Sequence, residues 1–253
     1  MARQRRLPGV DWHKGDIRRE ESLAKGAKEY ARGQGLPYRP GNVAAVRADP
    51  NVLHAVGGIV AKQQGAPPHM SDQMKASYAA LHEGINRQYE HLTKPTSEGG
   101  LGIKHEVTAE DPYKDIGEAM ADVRSNRRLR TLATATTESG QGREGSPAQE
   151  NPMMHSSMND KFRAVHDAFG HLATGRDFGR HGEAASFQHH AAMFPEAAHP
   201  ALASELRAQN SALIRMGNFP ENKPYEIPDW ATKPVAKMPT PKRRKAAPHP
   251  TLF

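Results

Sequence analysis

The segment from Ser71 to Thr93 constrains the fold more than any other stretch of the chain. Met74, Tyr78, Leu81, Ile85 and Leu92 recur at threes, fours and one double step, which puts them on one stripe of an α-helix and on both faces of a strand. Ser71 or Asp72 supplies the cap. A stripe of that length needs other helices to bury it, so the predicted class is mainly α: a helical core, at most a small two-stranded sheet, and flexible basic termini. The two predicted strands are Ile103 to Val107 and Leu129 to Thr137, where side chains alternate. Between them Asp111-Pro112 and Asp115 open a helix carrying Ile116, Met120 and Val123.

The ends of the chain are basic and the body is not. Residues 1–40 contribute +5 and residues 233–253 contribute +6 to a net charge of +7, which leaves the body at −4. Three regions follow: a basic arm over 1–40, a helical metal-binding domain over 41–232, and a Pro-rich basic tail over 233–253. The glycines of the first region leave only Ile17 to Ala31 as a helix candidate, with a thin apolar face, so an extended or partner-ordered arm is expected. Arg3, Arg5, Arg6, Lys242, Arg243, Arg244 and Lys245 are the residues best placed to hold nucleic acid through its phosphates. Solvated tails that only keep the protein in solution are the alternative.

Cysteine is absent, which excludes disulfides, thiolate zinc sites and a cysteine nucleophile. No run reaches the roughly 18 apolar residues of a membrane span, and the N-terminus lacks a signal-peptide apolar region. A chain that is not secreted, has no membrane partner and resides in a host cytoplasm or a virion interior is expected. With 253 residues, a core can be buried without covalent staples. No glycine-rich phosphate loop of either common pattern is present.

A chain without thiolates offers a transition metal imidazole and carboxylate. Seven of the 14 histidines lie between His155 and His199. The centre of that region is Phe162 to His171, FRAVHDAFGH, where Phe162, Val165, Phe169 and Leu172 form an inward helical face after a cap at Asn159 or Asp160. His166 and His171 flank the face and read as half of a metal site. Five residues of regular helix set two rings about 140° apart, so convergence requires a distorted last turn, which Gly170 permits. The competing reading is a hydrogen bond between Asp167 and His171, four apart on one face. The preceding segment, Gly140 to Met158, is a loop, either a lid or plain surface. A further helix runs from about Glu183 to Phe194, with Glu183, Phe187, His190 and Phe194 on one side. A fourth runs from Pro200 to about Met216, where Glu205 and Gln209 lie beside the stripe of Leu202, Leu206 and Leu213. A carboxylate in that position needs a partner.

His-acidic-x-x-Gly-His on a helix, a Phe-bearing turn, another helix and then a glutamate about 35 residues on resemble the iron site of the aromatic amino acid hydroxylases. The resemblance covers about residues 160–215 and implies iron(II) held by His166, His171 and Glu205, with coordination positions left open. It puts Asp167 where that family has a glutamate near the pterin, a departure that counts against pterin use. The strings NDKFRAVHDAFGH, FGRHGE and SELRAQNSAL are also similar to an uncharacterised domain of tailed-bacteriophage proteins, which implies a phage setting and possible virion partners. Three readings stand: a non-haem iron oxygenase of hydroxylase type with Asp167 or Glu183 as supporting or general-base carboxylate, a zinc hydrolase on the same ligands, and a virion or DNA-associated protein acting through its basic ends.

If the ends bind polyanions, replacing the seven named Arg and Lys residues by Gln is expected to abolish retention on heparin at low salt, and retention of the unaltered chain should fall steeply as salt rises. Equal retention of the two would mark the ends as solubility segments.

Overall fold

The computed structural model describes residues 17–67, 70–134 and 151–233. Its central helix, α3 (Asp72–Thr93), is capped by the Ser71 hydroxyl, which accepts from the Met74 amide at 3.2 Å. The predicted stripe is buried, and Ser77, Gly84 and Gln88 lie on the same face. These three small or polar residues meet specific partners: the Ala201 amide at Ser77, the Phe194 ring at Gly84 and His190 at Gln88.

Before it lie α1 (Glu21–Gly33) and α2 (Pro50–Ala61). The arm expected over residues 1–40 is corrected in its second half: Leu23, Ala27, Tyr30 and Ala31 of α1 are buried in the core. Alanine and glycine make the apolar stripe thin in sequence, yet their small size lets the helix sit close. Leu101 occupies the space beside Gly26. Of α2, Asp49 caps the Asn51 amide and Pro50 takes the first helical position, where a missing N–H costs nothing.

The sheet among the described residues is two-stranded and parallel, pairing β1 (Lys104–Thr108) with β2 (Arg128–Leu132) from Lys104↔Arg128 to Thr108↔Leu132. The connection is α4 (Ile116–Asn126), capped by Asp115. A parallel pair needs such a crossover. The second strand ends at Leu132, earlier than its threonine run suggested, and residues 135–150 lie outside the described part.

The second half contains α5 (Ser156–Val165), α6 (Arg180–Ala191), α7 (His199–Ala203), α8 (Gln209–Met216) and the short α9 (Asp229–Thr232), of which α5 and α7 pack on α3, α8 on α2 and α9 on α7. Two π-helical turns are inserted, His166–Leu172 after α5 and Ser204–Ala208 between α7 and α8. The cap expected at Asn159 or Asp160 is not used, since α5 already starts at Ser156. Asp160 instead accepts from the amide and hydroxyl of Thr134 at 2.9 and 2.7 Å, tying the end of β2 to α5. Of the expected loop, Asn151 and Met154 are buried and joined by a β-bridge. Tyr225 and Ile227, near the end of the described chain, are buried in the core. Among the described residues no helix is long and apolar enough to cross a membrane.

Helices α2 and α8 cross where Gly57 meets backbone. A Cβ built on Gly57 would lie 2.5 Å from the Ser211 carbonyl oxygen and 2.8 Å from Arg215 Cβ, whereas one on Gly58 meets only the Arg215 guanidinium, at 3.4 Å. Gly57→Ala is therefore expected to destabilise the protein by about 1–3 kcal/mol, because the helices must separate. Gly58→Ala should be neutral or stabilise by up to about 1 kcal/mol through helix propensity. Paired urea titrations decide it, and equal behaviour of the two variants would contradict the crossing.

Candidate metal centre

The π turn brings together two histidines that a regular helix would hold apart. Winding with i→i+5 hydrogen bonds, such as Ala173 N–H to the Ala168 carbonyl at 2.9 Å, places residues five apart on one side. The rings of His166 and His171 come to a centroid separation of 4.9 Å at 88°. The distortion expected from the spacing is present, as a widening of the turn and not a tightening. Gly170 lets α6 lie close against it: a Cβ there would stand 2.0 Å from the Ser186 hydroxyl of α6. Thr174 donates its hydroxyl to the Gly170 carbonyl at 2.6 Å, occupying an acceptor in the irregular winding.

Because α6 is drawn so close, Glu183 in its first turn reaches both rings. One carboxylate oxygen lies 3.6 Å from His166 Nε2 and the other 3.5 Å from His171 Nε2. His166, His171 and Glu183 thus form a group able to hold a metal ion, with their ligand atoms within 4.8 Å of one another. His166 and His171 are buried, while the Glu183 side chain is 19% exposed and gives the group its edge toward solvent. A cavity of about 30 Å³, room for about one water, lies against Glu183 and is lined by Phe187, Arg207 and Asn210 among others. Asn210 at the start of α8 donates to Glu183 at 3.2 Å and orients it.

The hydrogen bonds on the far side of each ring suit a cation. His171 Nδ1 faces the Arg176 carbonyl at 3.0 Å, and a carbonyl only accepts, so this nitrogen carries the proton. His171 Nε2 is left buried and without a hydrogen-bond partner. Asp167 is not the partner of His171, so the alternative reading of the helix is corrected: the widened turn directs the Nδ1 of that ring to a backbone carbonyl. Asp167 is half-buried beside the site, its carboxyl pushed up by burial and pulled down by the imidazoles of His171 and His166.

Burial opposes charge on Glu183 and on His171, and the attraction between the groups outweighs it. The Glu183 carboxyl is pushed up by burial, but His171 and His166 hold it well below the usual carboxylate range. Burial lowers the His171 imidazole, yet Glu183 and then Asp167 push it up to about 9. A carboxylate facing two imidazole nitrogens needs positive charge between them, and a proton on His171 or a metal ion meets that need. Nearby His190 is kept well below the usual imidazole range, by burial and then by the other histidines. Phe162 stacks over His166 at 5.9 Å, and Phe178, 37% exposed, packs on His171 at 4.7 Å.

Glu205, expected as the carboxylate ligand, is not a member of this group. It sits in the second π turn, where its carboxylate accepts from the Tyr78 hydroxyl, from Asn151 Nδ2 at 2.8 Å and from Gln209 Nε2 at 3.2 Å. The need of a carboxylate beside a leucine stripe is met here by neutral donors. Glu183, expected in a supporting role, takes the place beside the histidines, because Gly170 lets α6 approach the π turn directly. Asn210, His190 and Gln88 were not singled out as site residues, though His190 shares its predicted helix face with Glu183. The basic residues Arg3, Arg5, Arg6, Lys242, Arg243, Arg244 and Lys245 lie outside the described part. Comparison with protein-family models, with curated proteins and with solved structures gives no match.

Burial pushes the Glu205 carboxyl up to about 7, against the pull of Tyr78 and Asn151. A folded-state value above that of the unfolded chain means that the folded form holds its proton longer. Stability is therefore uncompromised below about pH 4.5 and declines as pH rises toward 7. Glu205→Gln is expected to remove this decline, raising stability at pH 8 by on the order of 3 kcal/mol relative to its effect at pH 4. Chemical denaturation at the two pH values measures it, and a pH-independent difference would contradict the assignment.

Proposed function

We propose that the protein is a mononuclear non-haem iron enzyme of the oxygenase type, with iron(II) held by His166 Nε2, His171 Nε2 and the Glu183 carboxylate. The observation that carries the reading is the convergence of a carboxylate with two imidazole Nε2 atoms, one of them buried and otherwise unpartnered. Two histidines and one carboxylate form a donor set that leaves coordination positions open. Iron(II), when bound, supplies one-electron redox chemistry and open positions for small ligands.

The protein's own groups hold and shield that centre. The Arg176 carbonyl fixes the His171 ring, and Asn210 fixes the Glu183 carboxylate. Phe162 and Phe178 limit water at the two imidazoles. Asp167 is placed to hold a proton on its carboxylate beside the site, the general-base role proposed for it.

The His-Asp-x-x-Gly-His string supports the hydroxylase comparison for the histidine pair alone, since the third ligand is now Glu183, 12 residues after His171. The same strings support a tailed-phage setting. Zinc accepts this donor set too, and a zinc hydrolase is the reading that the metal content decides.

Elemental analysis of protein purified without tag or chelator is expected to find iron in stoichiometric amount. His166→Ala, His171→Ala and Glu183→Gln should lose it, with helical content by circular dichroism retained, while Glu205→Gln keeps it. Zinc in place of iron would favour the hydrolase. Protein that takes up neither metal on reconstitution overturns the proposal.

A further inference from the structure

Behind His166 a second histidine and a glutamine form a buried line that ends on the backbone. Gln88 on α3 donates Nε2–H to the Met193 carbonyl at 3.1 Å, and its Oε1 lies 2.7 Å from His190 Nε2. His190 Nδ1 in turn lies 3.3 Å from His166 Nδ1. Gln88 and His190 have no exposed surface, so no solvent exchange substitutes for these contacts.

We propose that Gln88 is a positioning residue for the metal centre: acting through His190, it determines which nitrogen of His166 carries the proton and leaves Nε2 free to bind the cation. The inference rests on the reading of His166 as a ligand. The direction of each bond is dictated by the one before it. A backbone carbonyl only accepts, so the Gln88 amide must present NH₂ to Met193 and its oxygen to His190. The reversed amide would set two oxygens face to face. An amide oxygen only accepts, so His190 Nε2 carries the ring proton and its Nδ1 bears a lone pair. That lone pair faces His166 Nδ1, which must then be the protonated nitrogen. The lone pair of His166 is thereby left on Nε2, the nitrogen that faces Glu183.

Ser186 does not compete for this role. Its hydroxyl lies 3.4 Å from Nδ1 and 3.3 Å from Nε2 of His166. An oxygen nearly equidistant from the two ring nitrogens is on the in-plane axis of neither. The two ligands are therefore prepared in different ways, His171 by one carbonyl of its own turn and His166 by a line that crosses to α3 and back to the end of α6. Phe162 and Phe194 flank His190, with centroids at 6.2 and 4.9 Å, and hold its plane.

The test is ¹⁵N-histidine NMR of the metal-free full chain, with Gln88→Met as a variant of similar length that cannot accept a hydrogen bond. In the unaltered protein His166 is expected as the Nδ1–H tautomer. In Gln88→Met the proton should distribute over both nitrogens, while the Nδ1–H signal of His171, held by Arg176, stays as internal reference. Titration with zinc(II), and with iron(II) under argon, should show affinity lower by roughly 10–100-fold in the variant, the usual effect of losing an outer partner of a ligating histidine. An Nε2–H tautomer in the unaltered protein overturns the proposal even if the variant fails to fold, and so does unchanged affinity in a folded variant. If the tautomers respond as expected but the unaltered chain binds neither metal, the metal reading fails and the positioning role with it, while the hydrogen-bonded line stands.

Discussion

The site and its surroundings depend on one departure from regular winding, the π turn at His166–Leu172. A widened turn gives up regular helical hydrogen bonds, and it persists only where neighbours supply replacements. Thr174, just beyond the turn, donates to the Gly170 carbonyl, and the missing side chain of Gly170 lets Ser186 of α6 pack against the turn. The same close approach sets Glu183 opposite both imidazoles. Without the absent Cβ of Gly170, α6 would stand off, and two histidines with no nearby carboxylate would have little call on a cation.

Two glutamates, equally part of the helical body, meet opposite electrostatic fates. Glu183 faces imidazoles and is held ionised. Glu205 faces a phenol and two amides, which stabilise its charge less than burial disfavours it. Both are tied to the beginning of α8, Glu205 through Gln209 and Glu183 through Asn210. Successive residues thus leave that helix toward different carboxylates, and the π turn at Ser204–Ala208 just before it adjusts their directions.

Helix α3 connects these features as well as packing the core. Its buried stripe anchors the body, and polar atoms on the same face, including those of Tyr78 and Gln88, meet partners on other elements. Tyr78 donates to Glu205, and Gln88 orients His190 behind His166. Buried polar groups on a core helix are costly when unsatisfied, so both need their partners for the fold to stand. Stability of the core and geometry of the site are in this way enforced by the same helix.

The apolar period of residues 71–93, the two short alternating runs and the spacing of His166, Gly170 and His171 were enough to define a mainly helical protein, its small sheet and two of the three residues of the candidate metal group. Periodicity and local backbone freedom are properties of neighbouring residues, so they are legible in order along the chain. The helix over Glu21–Gly33 was understated, because a stripe built of alanine and glycine carries little hydrophobic signal and gains its burial from close packing. The carboxylate expected beside the two histidines was Glu205, and the structure places Glu183 there. Two carboxylates on two predicted amphipathic helices are alike in sequence, and only the packing of α6 onto the π turn decided that Glu183 faces the imidazoles while Glu205 faces Tyr78 and Asn151. Which carboxylate meets which partner depends on interhelical distance, and that distance is determined by side chains remote in the sequence, not by the spacing of the ligands themselves.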